Sequence, residues 1–219
     1  MQGVIFDMDG VLVDSYRAHF EAWRRLGRRH GYEMTEAQFA TTFGRTSRDI
    51  IENLWPGAAT ADEALEWDRW KEAAYREIIA ADFPEMPGAS ELIAALAGAG
   101  FTMAIGSSGP PENVAAVLAR LGGAHLIAAA VNGSEVTRGK PDPEVFLKAA
   151  GKLGLAPSCC AVVEDAPAGL EAARRAGMKA IAITGTAPRE QLAQRADVVV
   201  ERLSELTPER IATLIGAGD

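Results

Sequence analysis

Hydrophobic and polar positions follow two different rhythms along the chain. From Ser15 to about Pro84 the apolar residues recur at helical spacing. His19, Phe20, Trp23, Leu26 and His30 share one face of a first helix, which Gly31 stops. Thr35 and Gln38 form a capping-box pair that opens a short helix over Glu36–Thr42. Phe43-Gly44-Arg45-Thr46 reads as a loop, Ser47–Leu54 as a third helix, and Pro56-Gly57 as its end. A longer helix then carries Leu65, Trp67, Trp70, Tyr75, Ile78 and Ile79. No segment of this block alternates with a period of two, so it predicts a small helical bundle.

From Pro87-Gly88 onward, short apolar runs alternate with helical patterns. Strands are predicted at Phe101–Ile105, Leu126–Val131, Cys159–Val163, Lys179–Ile183 and Asp197–Val200. Helices are predicted over Ala89–Ala99, Pro110–Leu121, Asp142–Leu153, Ala166–Ala176, near Arg189, and over Pro208–Ile215. Such alternation implies a parallel sheet with helices on both faces. The apolar run Val4-Ile5-Phe6 at the start has no other strand to pair with, so it belongs to that sheet. The chain is thus predicted to be α/β: a doubly wound, Rossmann-like core (1–14 and 87–219) with an all-helical cap (15–86) inserted after the first strand.

In an open α/β sheet, ligands bind beyond the carboxyl ends of the strands, and four groups of polar residues fall there. Asp7-Met8-Asp9-Gly10 follows the first strand, and its two acids repel one another unless a cation lies beside them. Gly106-Ser107-Ser108-Gly109 follows the second and opens a helix whose N–H groups suit an oxyanion. Gly139-Lys140-Pro141-Asp142 frames a lysine in a rigid loop, with Asp142 placed to cap the next helix. Glu164-Asp165 ends the strand before Ala166. Each has a plain reading on its own: a solvated turn, a Ser/Gly connection, a surface charge, a helix cap. Together, in that order, they make one Mg²⁺ site beside one phosphate site.

Composition narrows the field. The balance of 22 basic to 30 acidic residues, a formal charge of −8, favours neither nucleic acid nor an anionic membrane surface. No run approaches a membrane span, and the start lacks a basic segment followed by an apolar stretch and cleavage site. The two cysteines, Cys159 and Cys160, are adjacent and make no disulfide framework; they read as small hydrophobes in a strand. The expectation is a cytoplasmic, monomeric enzyme acting on a small phosphorylated metabolite, without nucleic-acid or membrane partners.

On these motifs the whole chain resembles the haloacid dehalogenase superfamily, in its capped phosphatase and β-phosphoglucomutase-like branch. Asp7-Met8-Asp9-Gly10-Val11-Leu12-Val13-Asp14-Ser15 looks like the first motif, Ser107 the second, Lys140 the third and Glu164-Asp165 the fourth. The resemblance implies that Asp7 is the nucleophile and Asp9 the acid and base. It assigns Mg²⁺ to Asp7, Asp9 (through its carbonyl), Glu164 and Asp165, and phosphoryl contacts to Lys140 and Ser107. Gly10 and Ser108, with His19, Trp23, Gly44, Arg45, Arg48 and Lys71 of the cap, are the implied substrate contacts. Asp14 to Trp23 and Lys71 follow the mutase pattern. The mutase's Ser-Lys-Asn after the second motif is replaced by Gly109-Pro110-Pro111, which removes a cation. A phosphatase acting on a sugar phosphate is therefore expected, with a β-phosphoglucomutase-type mutase as the alternative.

Overall fold

The computed structural model describes residues 1–42 and 47–217. The chain divides into two compact units, Met1–Asp14 with Pro84–Asp219, and Ser15–Phe83.

The larger unit is built on six parallel strands: β1 (Gly3–Phe6), β2 (Thr102–Gly106), β3 (Ile127–Val131), β4 (Cys160–Glu164), β5 (Lys179–Ile183) and β6 (Val198–Val200). Their order is β3-β2-β1-β4-β5-β6. The order reverses between β1 and β4, the switch point at which doubly wound sheets bind ligands. Both strands are buried along their full length, which explains why they read as continuous apolar runs rather than alternating ones.

Ile5, Ala104, Val162, Ala180 and Ala182 point to one face. There they meet Val145, Phe146, Ala149 and Ala150, and Leu170, Ala172 and Ala173. These belong to two helices numbered in chain order, α7 (Glu144–Leu153) and α8 (Pro167–Arg175). The opposite face is covered by α5 (Ala89–Gly98) against β2 and α10 (Pro208–Gly216) against β4. Small alanines on the strands let the helices approach closely, and burial of the branched residues between layers supplies roughly 1.5–3 kcal/mol for each large side chain.

After β1 the chain folds back on itself. Leu12 and Val13 N–H groups both reach the Met8 carbonyl, and Gly10 N–H donates to Val13 O at 2.8 Å. Gly10 sits at φ +78, a conformation that a side chain resists. Val13 then pairs with Glu85, with Asp14 N–H donating to Pro84 O at 2.9 Å and Met86 N–H to Leu12 O at 3.0 Å. The outgoing and returning segments are thereby laced together inside this unit. The Glu85 carboxylate fixes the return by accepting from Ser90 and from Gly122 N–H.

The smaller unit, a helical cap inserted after the first strand, contains α1 (Tyr16–Arg29), α2 (Glu36–Ala40), α3 (Ser47–Leu54) and α4 (Ala61–Ala81). Thr35 and Gln38 make both halves of the expected capping box, and Thr60 with Glu63 makes another at the start of α4. Trp23, Leu26, Met34, Phe39, Ile51, Trp55 and Trp67 form its core.

Several expectations shift. β2, β3, β4 and β6 each begin one residue late, so Cys159 lies in a 3₁₀ turn and only Cys160 packs as a strand hydrophobe. Asp142 lies outside α7, which starts at Glu144 with Pro143 at its cap. Even so, Asp142 Oδ1 accepts from Glu144 N–H at 3.1 Å, the role expected of it one residue further along. Leu65, placed on the apolar pattern of α4, is 58% exposed.

Candidate active site

Asp7 immediately follows β1 and still donates its N–H to Val163 O at 2.9 Å, so the last ladder bond of the sheet fixes its backbone. Glu164 is the last residue of β4, the neighbouring strand, and Asp165 follows it. Adjacent parallel strands thus deliver three carboxylates to one edge of the switch point. Each is buried: Asp7 is 7% exposed, Glu164 2% and Asp165 6%.

Lys140 reaches this cluster from the loop ahead of α7. Its ammonium donates to Asp7 Oδ1 at 2.5 Å and to Glu164 Oε1 at 2.9 Å. It also lies 4.8 Å from the centroid of the Phe146 ring, where the ring's negative face favours a cation. The Lys140–Pro141 peptide bond is cis. Glu164 is held from its other side by Ala166 N–H, which donates to Oε2 at 2.5 Å.

The charges do not balance: three buried carboxylates face one ammonium. Burial first, then the charges of Glu164 and Asp9, push Asp7 up from 3.8 to about 7, against the pull of Lys140. Burial, with Glu164 and Asp7, raises Asp165 well above the carboxylate range. Burial pulls Lys140 down, but Asp7 and Glu164 outweigh it and hold the ammonium above its ordinary value. One oxygen from each of Asp7, Glu164 and Asp165 lies within 4.8 Å of the others. An all-oxygen, excess-negative cluster of this size fits a hard divalent cation such as Mg²⁺.

Ser107 follows β2, the strand on the other side of β1, and is 1% exposed. Its hydroxyl accepts from Gly109 N–H at 3.0 Å. Ser108 is exposed, and its carbonyl packs so closely on Gly133 that a Cβ there would lie 2.3 Å away. Asp9 and Gly10 lie in the turn after Asp7, where Asp9 pairs with Val13. Gly10 is required for a second reason besides its dihedral: a Cβ would lie 2.1 Å from Asp165 Oδ2.

The cap residues divide differently. His19 stacks on Tyr75 with ring centroids 4.0 Å apart. Trp23 lies in the cap core, with the Lys71 ammonium 5.5 Å from its ring centroid. Lys71 is 5% exposed and paired with Glu72. Arg48 is exposed on α3. Gly44 and Arg45 lie outside the described residues.

Three contributors escape a reading of the sequence. Thr186, in the loop after β5, donates its hydroxyl to Asp165 Oδ2. Gly169, in the first turns of α8, leaves room for Glu164: a Cβ there would lie 1.7 Å from Oε1. Phe146 underlies Lys140. A threonine in a Gly/Thr loop and a glycine inside a helix carry no chemical signature, although an interior helical glycine is itself a sign of close approach.

Three buried carboxylates, a lysine among them and room for a hard cation at a sheet switch point suit the handling of a small phosphoester. The protein is an enzyme of that class, acting by phosphoryl transfer or hydrolysis. The chain belongs to the haloacid dehalogenase-like hydrolases, whose family model matches residues 1–177. It is similar to hexitol phosphatase A of Escherichia coli K12, at 37% identity over 208 residues covering 94% of this chain and 93% of that protein. It is also similar to β-phosphoglucomutase of Bacillus subtilis 168, at 32% identity over 216 residues covering 95% and 93%. A solved family IA variant 3 hydrolase of this superfamily from Entamoeba histolytica superposes with a TM-score of 0.87 at 28% identity, covering 99% of this chain and 100% of that one. No helix among the described residues is long and apolar enough to cross a membrane.

Proposed function

We propose that the protein is a Mg²⁺-dependent phosphatase that hydrolyses a sugar phosphate through an aspartyl-phosphate on Asp7. The observation that carries this is the buried Asp7 carboxylate, aimed by Lys140 through one oxygen at the carboxyl edge of the sheet. In the first step an Asp7 oxygen attacks phosphorus, the ester P–O bond breaks, and Asp9 gives its proton to the departing alcohol oxygen. In the second, water attacks phosphorus, Asp9 takes the water's proton, and the bond to Asp7 breaks to release inorganic phosphate. Lys140 offsets the charge that builds around Asp7, and Ser107 donates to a phosphoryl oxygen. Asp7, Glu164 and Asp165, with the Asp9 carbonyl, would hold Mg²⁺, whose charge offsets the repulsion between carboxylate and phosphate.

Water as the acceptor is supported by the segment after Ser107. A mutase must bury a second phosphate, close to two negative charges, against cations or donors in matching number. Gly109-Pro110-Pro111 offers no side-chain charge, and its prolines have no N–H. The mutase reading keeps specific support in the likeness to the Bacillus enzyme and in the Asp14–Trp23 stretch and Lys71, which follow the mutase pattern. The net charge of −8 disfavours a polyanion as partner, consistent with a small phosphorylated metabolite as substrate. Incubation with β-glucose 1-phosphate and Mg²⁺ separates the two readings. A phosphatase yields inorganic phosphate or nothing. Conversion to glucose 6-phosphate, driven by a trace of glucose 1,6-bisphosphate and faster than phosphate release, establishes the mutase.

A further inference from the structure

We propose that Thr186, by donating its hydroxyl to Oδ2 of Asp165, makes Asp165 a one-oxygen ligand and so sets the site's preference for Mg²⁺ over Ca²⁺. The inference rests on the reading of Asp7, Glu164 and Asp165 as the cation site. Thr186 follows β5, which pairs with β4 through Glu164↔Ala182, so the sheet brings its loop beside Asp165. Thr184 N–H donates to Val200 O at 3.0 Å, tying that loop to the next strand as well.

Oδ2 is closed on two sides. Thr186 Oγ1 donates to it, and Gly10 stands so near that a Cβ would lie 2.1 Å away. Thr186 is the only hydrogen-bond donor to Asp165 among the described residues, so Oδ1 is the Asp165 oxygen without that commitment and the one we assign to the ion. Mg²⁺ takes near-octahedral geometry with single carboxylate oxygens at about 2.0–2.1 Å, whereas Ca²⁺ accepts more oxygens and bidentate carboxylates at about 2.3–2.6 Å. A carboxylate with one oxygen committed to a hydroxyl therefore suits the smaller ion. Hydrogen bonds to a ligand also orient it, and losing one typically weakens metal binding by roughly 10- to 100-fold.

The test is calorimetric titration of the chelator-treated full-length protein with MgCl₂ and, separately, CaCl₂. Thr186→Val keeps the shape and removes the donor, Thr186→Ser keeps the donor, and Thr186→Ala replaces the valine variant should that fail to fold. Thr186→Val is expected to lose roughly 10- to 100-fold in Mg²⁺ affinity and less in Ca²⁺ affinity, while Thr186→Ser keeps the wild-type ratio. A valine variant with an unchanged Mg²⁺/Ca²⁺ ratio overturns the inference, even if its thermal stability falls. A wild-type protein that binds neither ion overturns the cation site itself, and this inference with it.

Discussion

Replacing Asp7 with asparagine should flatten the pH dependence of the metal-free protein's stability. Asp7 is carried from 3.8 to about 7 by burial and its acidic neighbours. The folded protein therefore keeps a proton that the unfolded chain has already released. Stability contributed by this group is lost as pH rises from about 4 to about 7, and the full penalty stands above that. Each pH unit in that window is worth about 1.4 kcal/mol, so the integrated loss between about pH 5 and pH 8 is about 3 kcal/mol. The asparagine side chain carries no such charge, and Lys140 keeps Glu164 as its partner. Asp165 acts in the same direction as Asp7 and relaxes with it, because Asp7 is one cause of its elevation. Glu144, lowered to about 2 by Lys148 and Thr137, acts with the opposite sign but only as pH falls below its ordinary 4.5. The assay is urea unfolding in a metal chelator at several pH values across that range. The wild type should lose stability steadily toward pH 8 while Asp7→Asn changes much less, and becomes the more stable of the two. Parallel profiles for the two proteins would refute the argument. Saturating Mg²⁺ should shrink the difference, since a cation keeps the carboxylates ionised without penalty.

Asp9→Asn should lower turnover by about 10²–10⁴-fold for alkyl phosphates, and distinctly less for an aryl phosphate whose leaving group needs no proton. Equal losses with both substrates in steady-state assays would remove Asp9 from the acid role. Chelation should abolish phosphate release reversibly, with Mg²⁺ restoring it and Ca²⁺ doing so poorly; full activity in excess chelator contradicts the cation site. Gly169→Ala should displace Glu164, whose Oε1 lies where the new methyl would have to fit. A misplacement of that kind costs about a hundredfold in kcat/KM, and wild-type kinetics from a folded variant would show that Glu164 adjusts freely.

The parts of this molecule that can be read from the sequence are those where one residue type serves one physical need. Val4-Ile5-Phe6 is apolar throughout because β1 is covered on both faces, and an acid at its end can only mark the sheet edge. The same logic locates Lys140, Glu164 and Asp165, which the fold brings together from chain positions far apart. Thr186, Gly169 and Phe146 are not legible, because their importance lies in what they touch. Phe146 looks like any core aromatic until Lys140 is found above its ring. Gly169 has a meaning only once the Glu164 side chain occupies the space where a Cβ would be. Strand starts differ by a residue where a 3₁₀ turn consumes the first apolar position, as at Cys159. The reach of Asp142 to Glu144 N–H follows from the sequence, whereas the Pro143 cap does not, because Asp142 serves the helix from one residue outside it.

The most direct test of Asp7 as the nucleophile is to catch the covalent intermediate. The Mg²⁺-loaded enzyme, mixed with excess substrate and quenched in acid within one turnover, would be digested and analysed by mass spectrometry. The account predicts that the peptide containing Asp7 gains the mass of one phosphoryl group, on Asp7 itself, and that the adduct is absent from Asp7→Asn. A burst of phosphate release with no modified peptide, or an Asp7→Asn enzyme that still turns over, would contradict it.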